Sequence, residues 1–179
     1  MALQRFFETA EKMPWFENTI FVITADHTNQ TAFEKSKTSV GNFSIPIIYY
    51  SPSGELATKI EPTRVTQQID IMPTILNYLQ YDKPYFAFGF DAFSDNENQN
   101  FAINFQGFYN VYKDNFIFQS HDEQAISLFD YENDILLQKN LIDSLPEKVN
   151  EMQTFFKAFR QSYNQRLIDN DMTIKKERD

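Results

Sequence analysis

The chain has 179 residues, enough for one domain of ordinary size or a large piece of a bigger one. Its 16 Lys and Arg against 25 Asp and Glu leave a net charge of −9, which argues against a nucleic-acid binder that needs clustered cations to neutralise phosphates. The absence of Cys excludes a disulfide scaffold, a thiolate metal site and a cysteine nucleophile within these residues, and the 42% apolar and 16% aromatic content describes a folded body.

Leu3, Phe6, Phe7, Ala10 and Met13 recur at helical spacing and predict a first helix, ended by Pro14 because the residue before proline is pushed out of the helical region. The uninterrupted β-prone run from Thr19 to Ala25 predicts a strand covered on both faces, as in a parallel sheet flanked by helices. A polar stretch follows from Asp26 to Asn42. Ser44 to Tyr50 then gives a second apolar strand, closed by the turn signal Ser51-Pro52-Ser53-Gly54. Asp70 is the expected N-cap of a helix carrying Ile71, Ile75, Leu76 and Leu79, with Pro73 tolerable in its first turn. Helix, strand, strand, helix is an α/β signal.

Beyond about residue 98 the pattern changes to short alternating segments, Phe101 to Gln106, Phe108 to Tyr112 and Phe116 to Phe118, with a turn at Asp114-Asn115. They predict a small antiparallel sheet with one wet face. A last helix from about Leu145 shows a capping-box pair, Ser144 and Glu147, and an apolar series of Val149, Met152, Phe156, Phe159 and Tyr163. The expected division is an α/β part over residues 1–97, a small sheet plus helix over 98–170, and a frayed tail over 171–179.

Asp26-His27 stands immediately after the first apolar strand. Ligands of open α/β sheets bind at the carboxyl ends of strands, and a bend on leaving the strand would let both side chains face one ion. A carboxylate oxygen with an imidazole nitrogen suits Zn²⁺ or Mn²⁺ better than Ca²⁺, which prefers all-oxygen sites. Two ligands do not close a site, and on spacing alone an Asp-His dipeptide is more often a turn cap beside a backbone-bonded His.

The surrounding blocks carry more. The string from Asn18 to His27 resembles the metal-binding strand of the alkaline phosphatase superfamily, particularly its sulfatase and lipoteichoic-acid-synthase branches. In order along the chain, Ile45 to Pro52 resembles the family's hydrophobic-Pro-hydrophobic strand. Val65 to Leu76 resembles its helix with an Asp-x-x-Pro-Thr signature, followed by Lys83-Pro84 and Gly89. Leu128 to Asp134 with Lys139-Asn140-Leu141 resembles its C-terminal block. The resemblance implies an alkaline-phosphatase-like mixed sheet with flanking helices, incomplete as a C-terminal part, plus the small antiparallel sheet and helix. It implies that Asp26 and His27 are two ligands of a catalytic divalent metal, Mn or Zn, with Mg or Ca as further choices.

An Asp-His pair leans toward phosphoglycerol or phosphoethanolamine transferases and related phosphoester-cleaving enzymes, because sulfatases more often place Asn or Gln beside this Asp. The sequence departs from the family where Thr28-Asn29 follows the pair in place of Gly. In the family the nucleophile (Thr, Ser or a Cys converted to formylglycine) and the first acidic ligand lie on earlier segments. The chain is therefore expected to be the C-terminal portion of a larger enzyme, supplying two ligands but no nucleophile and not turning over alone. The alternatives are a sulfatase and a non-catalytic envelope domain. Cofactor-independent phosphoglycerate mutases use a similar string, but the Leu128 to Leu141 block argues against them. The expected partner is a small-molecule or lipid-linked phosphate or sulfate ester. The resemblance also implies work outside the cytoplasm, with membrane anchoring only through upstream segments.

Other residues carry a bland reading beside a functional one. His121, between Ser120 and Asp122, reads as an exposed loop histidine, Lys35 and Lys37 as a solvated face, and Asp70 as a cap in preference to a third ligand. The aromatics Phe101, Phe105, Phe108, Tyr109, Tyr112, Phe116 and Phe118 read as hairpin core in preference to a stacking platform, and Trp15 as a packing anchor.

Overall fold

The computed structural model describes residues 2–28, 33–54, 56, 64–96 and 100–174. In chain order these give α1 (Ala2–Ala10), β1 (Phe21–Thr24), α2 (Ser39–Phe43), β2 (Ile47–Tyr50), α3 (Ile71–Tyr78), β3 (Phe101–Phe105), β4 (Tyr109–Lys113), β5 (Phe116–His121), β6 (Gln124–Asp130) and α4 (Pro146–Ile168). This is a mixed α/β architecture with two separate sheets, β1-β2 and β3-β4-β5-β6.

β1 and β2 pair antiparallel, with Phe21 opposite Tyr50 and Thr24 opposite Ile47. This corrects the expectation drawn from parallel sheets. An apolar run without alternation reports cover on two faces, and the direction of the neighbouring strand is not encoded in it. One face is covered by rings: Phe21 lies 5.0 Å from Phe7 on α1, 5.6 Å from Phe16 and 5.9 Å from its cross-strand partner Tyr50. That cluster explains why the α1 stripe is aromatic where it meets the strand.

α3 begins where expected, continuing a 3₁₀ turn over Gln68–Asp70, and Pro73 sits in its first turn. Its most buried positions are Pro73 and Thr74, while Leu79 is exposed. The Asp70 carboxylate does not cap α3. One oxygen accepts the Gln67 N–H (2.9 Å) and the other the Phe90 N–H (2.8 Å), tying the turn before α3 to the segment beyond it. Gly89 makes that approach possible, since a Cβ there would lie 2.1 Å from the Ile69 carbonyl oxygen. Thr74 completes the seam: its hydroxyl donates to the Asp70 carbonyl (2.6 Å) and accepts the Ala92 N–H (2.8 Å).

β3 to β6 form an antiparallel meander whose register is regular except for a shift between Gln119 and Ser120. Its turns use the residues such turns need: Gly107 and Asp114 both have positive φ, the first within Gln106-Gly107-Phe108 and the second in the expected Asp114-Asn115 turn. Val111, Phe118 and Leu128 on one face pack with Met152 and Phe156 of α4 into the main core. The opposite face is not wet. Asn110, Gln119 and Ser127 are buried there, so the alternation of the sequence marks an apolar face and a buried neutral-polar face. Phe101, Tyr112 and Phe118 are buried, whereas Phe105 is exposed and stacks on Tyr109 (4.9 Å).

The outer edge of β6 is covered by the chain that follows it. The Leu141 N–H donates to the Leu128 carbonyl (2.8 Å), and the Asn140 side chain accepts the Leu128 N–H (3.1 Å). These residues of the Leu128 to Leu141 block thus close a sheet edge. α4 starts at Pro146, with Leu145 at the N-cap and no side-chain cap, so Ser144 and Glu147 do not form the expected capping box. Proline supplies the favoured first helical residue one position after Ser144, which is instead held in a turn by the Leu141 carbonyl (3.0 Å). The expected change of texture near residue 98 and the charged end at 175–179 lie outside the described residues.

Phe156 is 1% exposed at the centre of the α4 contact. Phe156→Ala should cost about 3–5 kcal/mol of unfolding free energy in urea titrations, against less than about 0.5 kcal/mol for the exposed Lys157→Ala. A Phe156→Ala loss as small as that of the control would mean that α4 does not sit on this sheet.

Candidate functional site

The chain leaves β1 at Thr24 and bends through Ala25 to Thr28. Three contacts set the bend. The Gln68 side-chain amide donates to the Ala25 carbonyl (2.8 Å). The Asp26 carboxylate accepts the His27 N–H (2.9 Å). The Thr28 N–H (3.4 Å) and hydroxyl (3.1 Å) both donate to the Asn42 carbonyl at the end of α2. α2 is itself fixed locally: the Thr38 hydroxyl accepts the Gly41 N–H (3.0 Å), and Gly41 lies so close to the Lys35 carbonyl that a Cβ would fall 1.8 Å from it.

The result is a corner on which Asp26 and His27 point the same way. Asp26 Oδ2 and His27 Nε2 are 3.7 Å apart, and their side chains are 88% and 70% exposed. The His27 Nδ1 lies 3.0 Å from the Thr28 carbonyl oxygen, a contact only an Nδ1–H can make. In the neutral ring that donation leaves the Nε2 lone pair beside the carboxylate, the arrangement in which histidine ligates a metal. Two bonds of about 2.0–2.2 Å from one ion can span about 4 Å, so the pair fits a single divalent cation. Among the described residues, no group of three or more His, Cys, Asp or Glu could hold a metal ion.

Beside the corner lies a cleft of about 370 Å³ whose walls include Asp26, Phe43, Ile47, Gln68, Asn104 and Tyr112. Among the described residues, Asp26 is the one formal charge on its lining. A larger apolar groove of about 800 Å³ runs between α3, α4 and the β3-β4 end of the small sheet, past Met72, Phe88, Phe105, Phe159 and Tyr163, with Arg160 at its side. The two depressions share Gln67, Ile69, Ile103 and Asn104 as a common wall.

The other candidates do not converge on this corner. Lys37 pairs with Glu34 (2.6 Å) in the 3₁₀ turn Glu34–Lys37, and Lys35 of the same turn gives its carbonyl to the Thr38 hydroxyl (2.8 Å). His121 ends β5 beside Asp122 (3.5 Å). Asp70 is buried with both oxygens occupied, and Trp15 is a half-exposed ring 6.3 Å from Phe21. Gln68 and Asn42, which set the corner together with Thr28, were not singled out by sequence reasoning. A cap pattern, Thr38 with Gly41, was there to flag α2. The Gln68–Ala25 bond joins residues 43 apart and leaves no local pattern.

Residues 1–81 match the family model described as Sulfatase. No curated protein sequence matches the chain. Among solved structures, a protein of the alkaline phosphatase superfamily from Vibrio parahaemolyticus is similar over 97% of this chain and 41% of its own, with 22% identity and a TM-score of 0.63. A candidate sulfatase from Bacteroides thetaiotaomicron is similar over 99% of this chain and 42% of its own (15% identity, TM-score 0.66). Another, from Bacteroides fragilis, is similar over 90% and 40% (17% identity, TM-score 0.62). The fold is therefore shared with part of these structures, and the chain spans about two fifths of their length. Among the described residues no helix is long and apolar enough to cross a membrane.

Burial pushes the Asp70 carboxyl above its ordinary value, against the lowering effect of the Phe90 and Gln67 N–H groups and of Arg64. A raised folded-state pKa means that the native chain holds a proton which the unfolded chain has released. This group's contribution to stability is thus full below the ordinary carboxylate pKa and declines as pH rises through its folded value. Between those limits, wild type should lose stability relative to Asp70→Asn with rising pH in urea titrations. A flat difference would show that Asp70 titrates as in the unfolded chain.

Proposed function

We propose that this chain supplies two ligands, Asp26 and His27, to a divalent metal site in an enzyme that transfers or hydrolyses phosphate esters. The observation that carries this reading is the shared direction of Asp26 Oδ2 and His27 Nε2, 3.7 Å apart and open to solvent, with the imidazole Nδ1 occupied by the Thr28 carbonyl. One carboxylate and one neutral imidazole leave a divalent ion with net positive charge and open positions, as a catalytic site requires. The ion, Mn²⁺ or Zn²⁺, would supply Lewis-acid polarisation of the ester oxygens. The residues themselves hold position: Gln68 and Asn42 keep the corner bent, Thr28 orients the ring, and the cleft beside Asp26, which carries no cation among the described residues, receives the ester's uncharged portion.

The nucleophile is assigned to none of these residues, and the chain alone is not expected to turn over an ester. The substrate is a small-molecule or lipid-linked ester. The match of residues 1–81 to the sulfatase model favours a second reading in which the ester is a sulfate.

Titration of the chain with Mn²⁺ should give weak binding that Asp26→Ala and His27→Ala each abolish. Inorganic phosphate should strengthen that binding by linkage more than sulfate does, and the reverse order would favour the sulfatase reading. Tight binding that survives both substitutions would overturn the assignment of this corner.

A further inference from the structure

The face of the small sheet turned away from α4 carries a row of neutral polar groups in strict cross-strand register: Asn104 opposite Asn110, Asn110 opposite Gln119, Gln119 opposite Ser127. The row is hydrogen-bonded along its length. Asn110 Nδ2 donates to Asn104 Oδ1 (2.8 Å), Gln119 Nε2 to Asn110 Oδ1 (2.8 Å) and Ser127 Oγ to Gln119 Oε1 (2.5 Å). Asn104 Nδ2 also donates to Tyr112 Oη (3.0 Å). Two side-chain bonds lead from this row to α2, and both end on Ser39. Gln119 Nε2 donates to its hydroxyl (3.0 Å) and Tyr112 Oη to its carbonyl (2.9 Å). Ser39 opens α2, whose Asn42 carbonyl holds Thr28, whose carbonyl in turn meets His27 Nδ1.

Burial on this face does not demand polarity, because Ile117 is fully buried there as cross-strand partner of Tyr112. Apolar packing would secure cohesion without direction. Directional bonds between buried amides fix position, and leaving one unpaired is costly. The polar side chains lie in the row that reaches Ser39.

We infer that the ladder is a positioning device for His27, with Tyr112 and Gln119 as positioning residues. They hold α2, and through it the Thr28 carbonyl, where the imidazole is kept in its Nδ1–H form. The inference rests on the metal-ligand reading of the Asp-His corner. It extends that reading to a part of the chain about 80 residues away, which touches neither ligand. Outer partners of a ligating His commonly govern metal affinity in this way.

The test uses the whole 179-residue chain. Tyr112→Phe deletes one oxygen, Ser39→Ala removes the hydroxyl that Gln119 reaches, and Val111→Ala weakens the same strand from its opposite, apolar face. Three quantities are read by NMR: Thr28 amide exchange, the His27 ring-nitrogen shifts that report the tautomer, and Mn²⁺-induced broadening of the His27 ring signals as a measure of affinity. Tyr112→Phe should speed Thr28 exchange, mix the His27 tautomers and weaken Mn²⁺ binding by about tenfold. Val111→Ala should lower the urea midpoint and leave all three unchanged.

The inference is overturned if Tyr112→Phe leaves Thr28 exchange and the tautomer as in wild type, or if Val111→Ala moves them equally. Should Ser39→Ala not fold, Tyr112→Phe alone decides. Loss of the metal reading shows up separately: wild type would bind no Mn²⁺, while exchange and tautomer still decide whether the ladder positions the ring.

Discussion

Directional hydrogen bonding to one serine, Ser39, ties the small sheet to the corner after β1. The β1-β2 pair and the β3-β6 meander are separate sheets, and Ser39 receives bonds from the second through both its hydroxyl and its carbonyl. Hydrophobic contact tolerates sliding by a fraction of a side chain, whereas two bonds converging on one residue do not. Ser39 is also the first residue of a five-residue helix, too short to persist by its own propensity. The small sheet therefore supplies stability that α2 lacks, and α2 passes position on to the corner after β1.

A second seam works by a different balance. Asp70 is buried, a costly place for a carboxylate, yet it accepts backbone N–H groups from both sides of α3's entry. Gly89 allows the two segments to meet at backbone distance, and Thr74 bonds across the same gap. The Asp-x-x-Pro-Thr segment from Asp70 to Thr74 thus acts as a clamp between the start of α3 and the segment near residue 90. The same entry carries Gln68, which holds the Ala25 carbonyl. Both seams end on the corner, one from each flank.

The elements legible in the sequence were those whose signal is local. α1, both apolar strands, the start of α3, the hairpins and the apolar face of α4 follow from spacing and turn residues. Strand direction was not legible, because an apolar run such as Phe21 to Ile23 has the same composition whether its neighbour runs parallel or antiparallel. The second face of the small sheet was misread as wet for a related reason. Asn104, Asn110, Gln119 and Ser127 alternate with apolar residues as solvent-facing positions do, and only their tertiary partners distinguish a buried amide row from a hydrated one. The Asp-His pair was visible as a dipeptide. The groups that bend it were not, since Gln68 and Asn42 act through backbone carbonyls and N–H groups far along the chain.

The exposure of Asp26 and His27 bears on how such a corner can be both weak and useful. Exposed, adjacent donors keep their hydration, so an ion gains little from them beyond exchanging water for two protein ligands. What the fold adds is preorganisation. The carboxylate is held by the His27 N–H, the ring by the Thr28 carbonyl, and the backbone by Gln68 and Asn42, so little side-chain freedom remains to be lost when an ion arrives. A corner built in this way contributes orientation more than affinity. Full affinity then depends on further donors meeting the same ion, and the open cleft beside Asp26 leaves them room to approach.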